Sequence, residues 1–299
     1  MGISSKEIGI EIKRLRKMRS ISQSELAEGI CSQTTISSIE IGRAFPSVDI
    51  LYHLSNRLNV TMDYFFQHTT SQNQIYTSET IKNIERLLKA QNYIEILEIT
   101  TFERKLRESR NLGGNFNQFI DWHHYRASQL NGDITWKECV EKLSTLVKSR
   151  ELNTTQFQAL KIKNVIANVL SENKEDDAAQ KIYEDILKEN IPLEAYQRFK
   201  LKVYFNLAKL HFYKEEYTNS VEIAQNGIDL SINLEDMSML GNLYLQAARS
   251  MINLDFNKEK IIDYIEKARF YCKVLNKCWH IEFIDHLEKD YYQKMDYIN

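Results

Sequence analysis

Proline is almost absent from this chain of 299 residues, with only Pro46 and Pro192, and glycine occurs nine times. Sheets joined by tight turns need many more such residues, so a strand-rich fold is excluded. Long apolar runs are also missing. No stretch reaches the ~18 residues that cross a bilayer, and no apolar run follows a basic start, so neither a membrane span nor a signal peptide is expected. Cysteine is sparse and scattered: Cys31, Cys139, Cys272 and Cys278. Even the nearest pair lacks zinc or redox spacing, which predicts reduced thiols in a cytoplasmic protein.

Catalytic signatures are lacking too. There is no His-x-x-x-His, no glycine-rich phosphate loop and no nucleophile motif. His123 and His124, beside Asp121 and Trp122, are the best metal or acid–base candidates. Adjacent helical residues point about 100° apart, so the two imidazoles do not share a face. The expectation is a protein that is not an enzyme and carries no metal or cofactor.

What remains is helical periodicity from end to end, hence an all-α fold. Residues 22–43 write two short helices, each with its own start signal. Ser22 stands before Gln23 and Glu25, so its hydroxyl can cap the first helix while Glu25 favours the positive helix end. Leu26, Ala27 and Ile30 form its apolar face. After Gly29, Ser32 caps a second helix whose inner side carries Ile36, Ile39 and Glu40. The outer side carries Gln33, Thr34, Ser37 and Ser38, short polar groups of the kind that read base edges in a major groove. Ile8, Ile12 and Leu15 mark a preceding helix. Val48, Ile50, Leu51, Leu54 and Leu58 mark a following one after Pro46-Ser47, and Met62, Tyr64, Phe65 and Phe66 a fifth.

Residues 5–66 resemble the helix-turn-helix domain of the lambda-repressor and Cro superfamily. The matching residues are Gln23, Glu25, Leu26, Ala27, Ile36, Ile39, Glu40, Gly42, Pro46, Leu51 and Leu58. The resemblance implies that Gln23 and Arg43 meet phosphates and that Gln33, Thr34 and Ser37 face bases, with Ser32 at the leading end of the same set. Residues 1–66 hold eight Lys or Arg against seven Asp or Glu. So little positive charge binds DNA weakly in one copy. Two copies one helical turn apart double the contacts, and a homodimer on a palindromic double-stranded DNA operator is expected.

The polar run at residues 67–77 reads as a linker, or as a solvated helix running on, between this domain (1–66) and a second one (78–299). In the second domain a repeat emerges. Asn164, Asn206 and Asn242 each open a similar helical segment, and Ala167, Ala208 and Ala248 share one register with separations of 41 and 40 residues. A small residue recurring there lets helices approach closely. The pattern is a tetratricopeptide-type array of helical hairpins, stretched beyond the usual ~34 residues. Segments 81–88 with 93–106, and 116–130 with 136–146, continue the scheme to about five hairpins in a right-handed superhelix. The segment with Ile281, Phe283, Ile284, Leu287 and Tyr291 would cap it. First helices line the concave face of such arrays. That places Asn164, Asn206 and Asn242 where amides, each donor and acceptor at once, can pair with an extended peptide backbone.

Taken whole, the chain resembles the peptide-responsive quorum-sensing regulators of Gram-positive bacteria, the Rgg/NprR/PlcR/PrgX group, in its PlcR-like branch. The carrying residues are the run Glu40 to Leu51, Asn164-Val-Ile-Ala-Asn, Asn206-Leu-Ala-Lys and Leu240-Gly-Asn-Leu-Tyr-Leu-Gln. The resemblance implies a cytoplasmic dimer controlled by a short signalling peptide. It places Asn164 and Asn206 on the peptide backbone and Lys89 near the peptide's acidic end. Gln91, Asn242 and His280 stand where the family has a lysine, a glutamine and a tyrosine, so a different peptide is expected. The alternative is a regulator whose array only dimerises or recruits a protein partner.

Overall fold

The computed structural model describes residues 4–68, 72–107, 109–110, 112–148, 156–254 and 256–296. All regular structure among them is helical. The chain divides into two compact units, Met1–Gln91 and Asn92–Asn299.

The first unit holds α1 (Ser5–Met18), α2 (Gln23–Ala27), α3 (Gln33–Glu40), α4 (Val48–Arg57), α5 (Met62–His68) and α6 (Gln72–Lys89). Its helix starts are chemically explicit. The Ser22 hydroxyl accepts from the Glu25 amide at 3.1 Å, and the Glu25 carboxylate accepts from the Ser22 amide at 2.6 Å. This reciprocal capping box satisfies two amides that the helix itself leaves unpaired. The Ser32 and Ser47 hydroxyls cap α3 and α4 by accepting from the Thr35 and Ile50 amides, without the reciprocal bond. Ile8, Ile12, Leu15, Leu26, Ile36, Ile39, Leu51, Leu54, Leu58 and Phe65 close around one core. A side chain at Gly9 would sit 2.0 Å from the Ile39 carbonyl oxygen. Only glycine lets α1 lie so close to α3.

Residues 69–71 of the expected linker lie outside the described residues. From Gln72 onward the chain is already helical, and the compact units divide after Gln91, beyond the boundary expected at 67–77. Residues 72–77 of this polar run form the opening turns of α6, the helical form that the linker reading allowed.

The second unit runs α7 (Tyr93–Leu106), α8 (Gly114–Asn131), α9 (Trp136–Lys148), α10 (Gln156–Glu172), α11 (Asp176–Lys188), α12 (Glu194–Tyr213), α13 (Tyr217–Asn233), α14 (Leu240–Asn253), α15 (Lys258–Val274) and α16 (Cys278–Asp296). Each helix packs on the next, and α10 meets α12, α12 meets α14 and α14 meets α16. This is the contact order of stacked hairpins. Ala167, Ala208 and Ala248 are fully buried, as their shared register requires. The repeat also reaches the turns: Lys174 and Glu215, 41 residues apart, take left-handed backbone angles with φ of 62° and 61°. Segment 93–106 packs on α8, with Thr100 hydrogen-bonded to His124 and the following Arg107 paired with Asp121.

Candidate DNA-reading and ligand-binding surfaces

In the first unit α3 presents a polar outer side. Gln33 and Thr34 are exposed and Ser37 is half-buried. Gln33 has no hydrogen-bond partner among the described residues. Ser32 is committed to its own helix: its hydroxyl accepts from the Thr35 amide and lies 2.7 and 2.8 Å from the hydroxyls of Thr34 and Thr35. Arg43 is exposed just after Gly42, whose φ of 76° turns the chain away from α3. Its backbone amide donates to the Ser38 carbonyl, so the guanidinium projects from a closed turn.

Gln23 has a partner that sequence reading missed. Its side-chain amide donates to Glu40 at 2.8 Å, and Arg16 donates to the same carboxylate through Nε at 2.6 Å and Nη2 at 2.9 Å. Burial alone would raise the Glu40 carboxyl. The hydrogen bonds from Arg16 and Gln23 outweigh it and hold the group below its ordinary range. The signal was available, since Glu40 shares the apolar side of its helix with Ile36 and Ile39, where a charge needs a partner.

In the second unit two of the expected asparagines meet. Asn206 Nδ2 donates to Asn164 Oδ1 at 3.2 Å and to Asn168 Oδ1 at 2.9 Å, joining α12 to α10. Asn168 also accepts from the Tyr183 hydroxyl at 2.6 Å. It stands one turn beyond Asn164, and that spacing could have marked it. The amide hydrogens of Asn164 and the amide oxygen of Asn206 stay unspent among the described residues. Together they offer one donor side and one acceptor side.

Asn242 belongs to a separate cluster. Its Oδ1 accepts from Lys277 Nζ at 2.8 Å, and its Nδ2 lies 3.0 Å from His280 Nε2. Lys277 also donates to the Ser238 carbonyl at 2.7 Å. Lysine only donates, so Asn242 must turn its oxygen to Lys277 and its hydrogens to His280. Nε2 of His280 is then the acceptor, and the neutral ring carries its proton on Nδ1. Burial, and then the Lys277 charge, hold the His280 pKa below its ordinary value. Burial also lowers the Lys277 ammonium. Lys277 had no sequence signal, because it reaches Asn242 from 35 residues away.

Lys89 and Gln91 lie in the first unit. Lys89 is exposed at the end of α6, and Gln91 is exposed with φ of 55°. The two adjacent histidines do part: His123 is buried against Trp122, with ring centroids 4.2 Å apart, while His124 turns to Thr100. No group of His, Cys, Asp and Glu among the described residues could hold a metal ion. No described helix is long and apolar enough to cross a membrane. Cys31, Cys139 and Cys272 are free thiols, and the Cys278 side chain lies outside the described residues.

Comparison with known proteins accounts for both units. Residues 81–293 match the RNPP family C-terminal domain, and residues 12–65 match a helix-turn-helix domain. Among solved structures, Bacillus thuringiensis PlcR in complex with the peptide PapR7 and DNA is 26% identical with a TM-score of 0.77. The alignment covers 93% of this chain and 99% of that one. ComR from S. thermophilus, in complex with DNA and its signalling peptide ComS, shares the fold at 18% identity and a TM-score of 0.62, over 95% of this chain and 99% of that one. Streptococcus dysgalactiae Rgg2, a pheromone receptor, does so at 15% identity and 0.60, over 96% and 99%. No curated protein matches the chain.

Proposed function

This chain belongs to the RNPP family, and on that premise we propose that it is a homodimeric cytoplasmic transcription regulator whose DNA binding is set by a short signalling peptide, as in quorum sensing. The observation that carries the reading is the amide pair Asn164–Asn206. It leaves a donor side and an acceptor side open across two adjacent helices. That is the arrangement needed to hold an extended main chain without regard to its side chains. Family membership identifies it as a regulator rather than an enzyme.

The chemistry divides between the units. In the first, Gln33, Thr34 and Ser37 read base edges while Arg43 meets a phosphate. Gln23 contributes chiefly by holding Glu40, and Ser32 by holding the start of α3. In the second, Asn164, Asn206 and Asn168 take the peptide backbone, and Asn242 with His280 takes one end of the ligand. Lys89 and Gln91, which belong to the first unit, are assigned to the ligand by the family resemblance alone. The peptide controls DNA binding only if it binds the DNA-competent state more tightly than the other.

Selection from a pool of randomised duplexes, with and without a mixture of short synthetic peptides, tests this reading. A palindromic site with half-sites about one helical turn apart (~34 Å) should be enriched, and peptides should change that enrichment. Selection of no common sequence, or no effect of any peptide, would overturn it.

A further inference from the structure

Lys277 is half-buried, yet both of its acceptors are neutral: the Ser238 carbonyl and the Asn242 amide oxygen. An ammonium carries three hydrogens. Two are spent here, and no described carboxylate takes the third. Asp236, two residues before Ser238, is engaged elsewhere, accepting from Arg198 at 2.9 Å and from the Ser238 amide at 2.8 Å. The charges around Lys277 add to the imbalance. Lys202 is close enough to act on it electrostatically, and it sits one turn before Asn206 on α12. Seven residues beyond Asn242, two turns along the same side of α14, the Arg249 guanidinium lies between two rings. It is 4.2 Å from the centre of Phe212 on α12 and 5.3 Å from that of Phe283 on α16. Its one described hydrogen bond goes to Gln246, also neutral. Lys202, Arg249 and Lys277 thus bring three cations to α12, α14 and the residue before α16, with no described carboxylate bonded to any of them.

We propose that the ligand here presents a carboxylate to Lys277, completing the third hydrogen bond of its ammonium, so that the receptor selects acidic peptides over neutral ones. This rests on the peptide-receptor reading and adds a ligand class to it. The carboxylate is either the peptide's free C-terminus or an Asp or Glu side chain, and the chemistry at Lys277 is the same. A bound anion also relieves the electrostatic conflict between Lys277 and His280. It would let His280 take up a proton, which requires the Asn242 amide to turn its hydrogens away from Nε2.

The test uses the full-length protein. Binders are drawn from a mixture of randomised short peptides, and the strongest is remade in three forms. One is unchanged, one carries a C-terminal amide, and one has every Asp and Glu replaced by Asn and Gln. Calorimetric titration of the parent should show one neutralised form weakened about ten- to a hundredfold, the scale of a lost charge-assisted hydrogen bond. Which form fails identifies the carboxylate. In Lys277→Met the difference between acidic and neutral forms should vanish, and Lys277→Arg should restore part of it. Equal binding of all three forms to the parent overturns the proposal while leaving the receptor reading intact, and this result needs no variant to fold. Persistence of the full difference in a folded Lys277→Met overturns it as well. If no peptide binds, the receptor reading falls with it.

Discussion

Arg16 reaches across from α1 and grips the Glu40 carboxylate at the end of α3 with two hydrogen bonds, of 2.6 and 2.9 Å. The Glu40 side chain is 1% exposed and that of Arg16 11%. Such a pair contributes little net stability over a hydrophobic replacement, but losing one partner strands a buried charge. The pair fastens the end of α3 to α1. The helix proposed to read DNA is thus tied at its end by a buried charge pair.

Arg16→Ala should destabilise the first unit by about 3–5 kcal/mol. Hydrogen exchange is the suitable measurement, because amides of α1–α3 can be followed apart from the second unit. Exchange unchanged in these helices would contradict the prediction. The pair also has a pH signature. The Glu40 pKa is lowered on folding, so its stabilisation is complete above the ordinary carboxylate range and fades as pH falls through the lowered value.

Gln33→Ala and Arg43→Ala should fail in different ways. Loss of Gln33 should cost about 1–3 kcal/mol at one position of the selected site and relax the preference there. Loss of Arg43 should weaken all sequences alike and reduce the salt dependence by about one phosphate contact. Fluorescence anisotropy on matched and mismatched duplexes at several salt concentrations separates the two. A Gln33→Ala variant with unchanged site preference would move the reading surface elsewhere.

Asn206→Ala and Asn168→Ala form a second contrast. Asn206 is half-buried, so its removal should abolish detectable peptide binding with little change in melting temperature. Asn168 accepts from Tyr183, which is only 2% exposed. Its loss leaves a buried hydroxyl without that partner, at a cost of about 1–3 kcal/mol. Calorimetry and thermal melting on both variants check the pair. Peptide affinity surviving in Asn206→Ala would discard the amide ladder.

His123 should make the second unit acid-sensitive. Burial, and then the nearby Lys161 charge, lower its pKa to about 3. The unfolded chain therefore binds a proton that the folded one refuses. Its contribution is complete above about pH 6.5 and is lost as pH falls from there toward about 3, by on the order of 1 kcal/mol per pH unit. His123→Phe should flatten the fall in melting temperature across that window. Parallel curves for parent and variant would assign the acid sensitivity to other groups.

Much of the architecture was legible because its causes are local. Ser22, Ser32 and Ser47 announce helix starts through hydrogen bonds that span three residues, and the register of Ala167, Ala208 and Ala248 recurs because each repeat solves the same packing problem. The polar opening of α6 left linker and helix undivided for the same reason: composition reports exposure, and an exposed helix and a linker share it. Resemblance assigned Gln23 to a phosphate, and its hydrogen bond to the buried charge of Glu40 was not legible beside it.

Helical content, the repeat register and the polar outer side of α3 were written in the amino-acid sequence alone. They depend on spacing within a helix or between copies of one unit, and both are linear properties of the chain. Tertiary structure decided the rest. Arg16 with Glu40, Asn206 with Asn168, and Lys277 with Asn242 are brought together from 24, 38 and 35 residues apart. No local period encodes such pairs, because the packing of whole helices selects which side chains meet. That packing left Lys277 with two neutral acceptors and one hydrogen to spare.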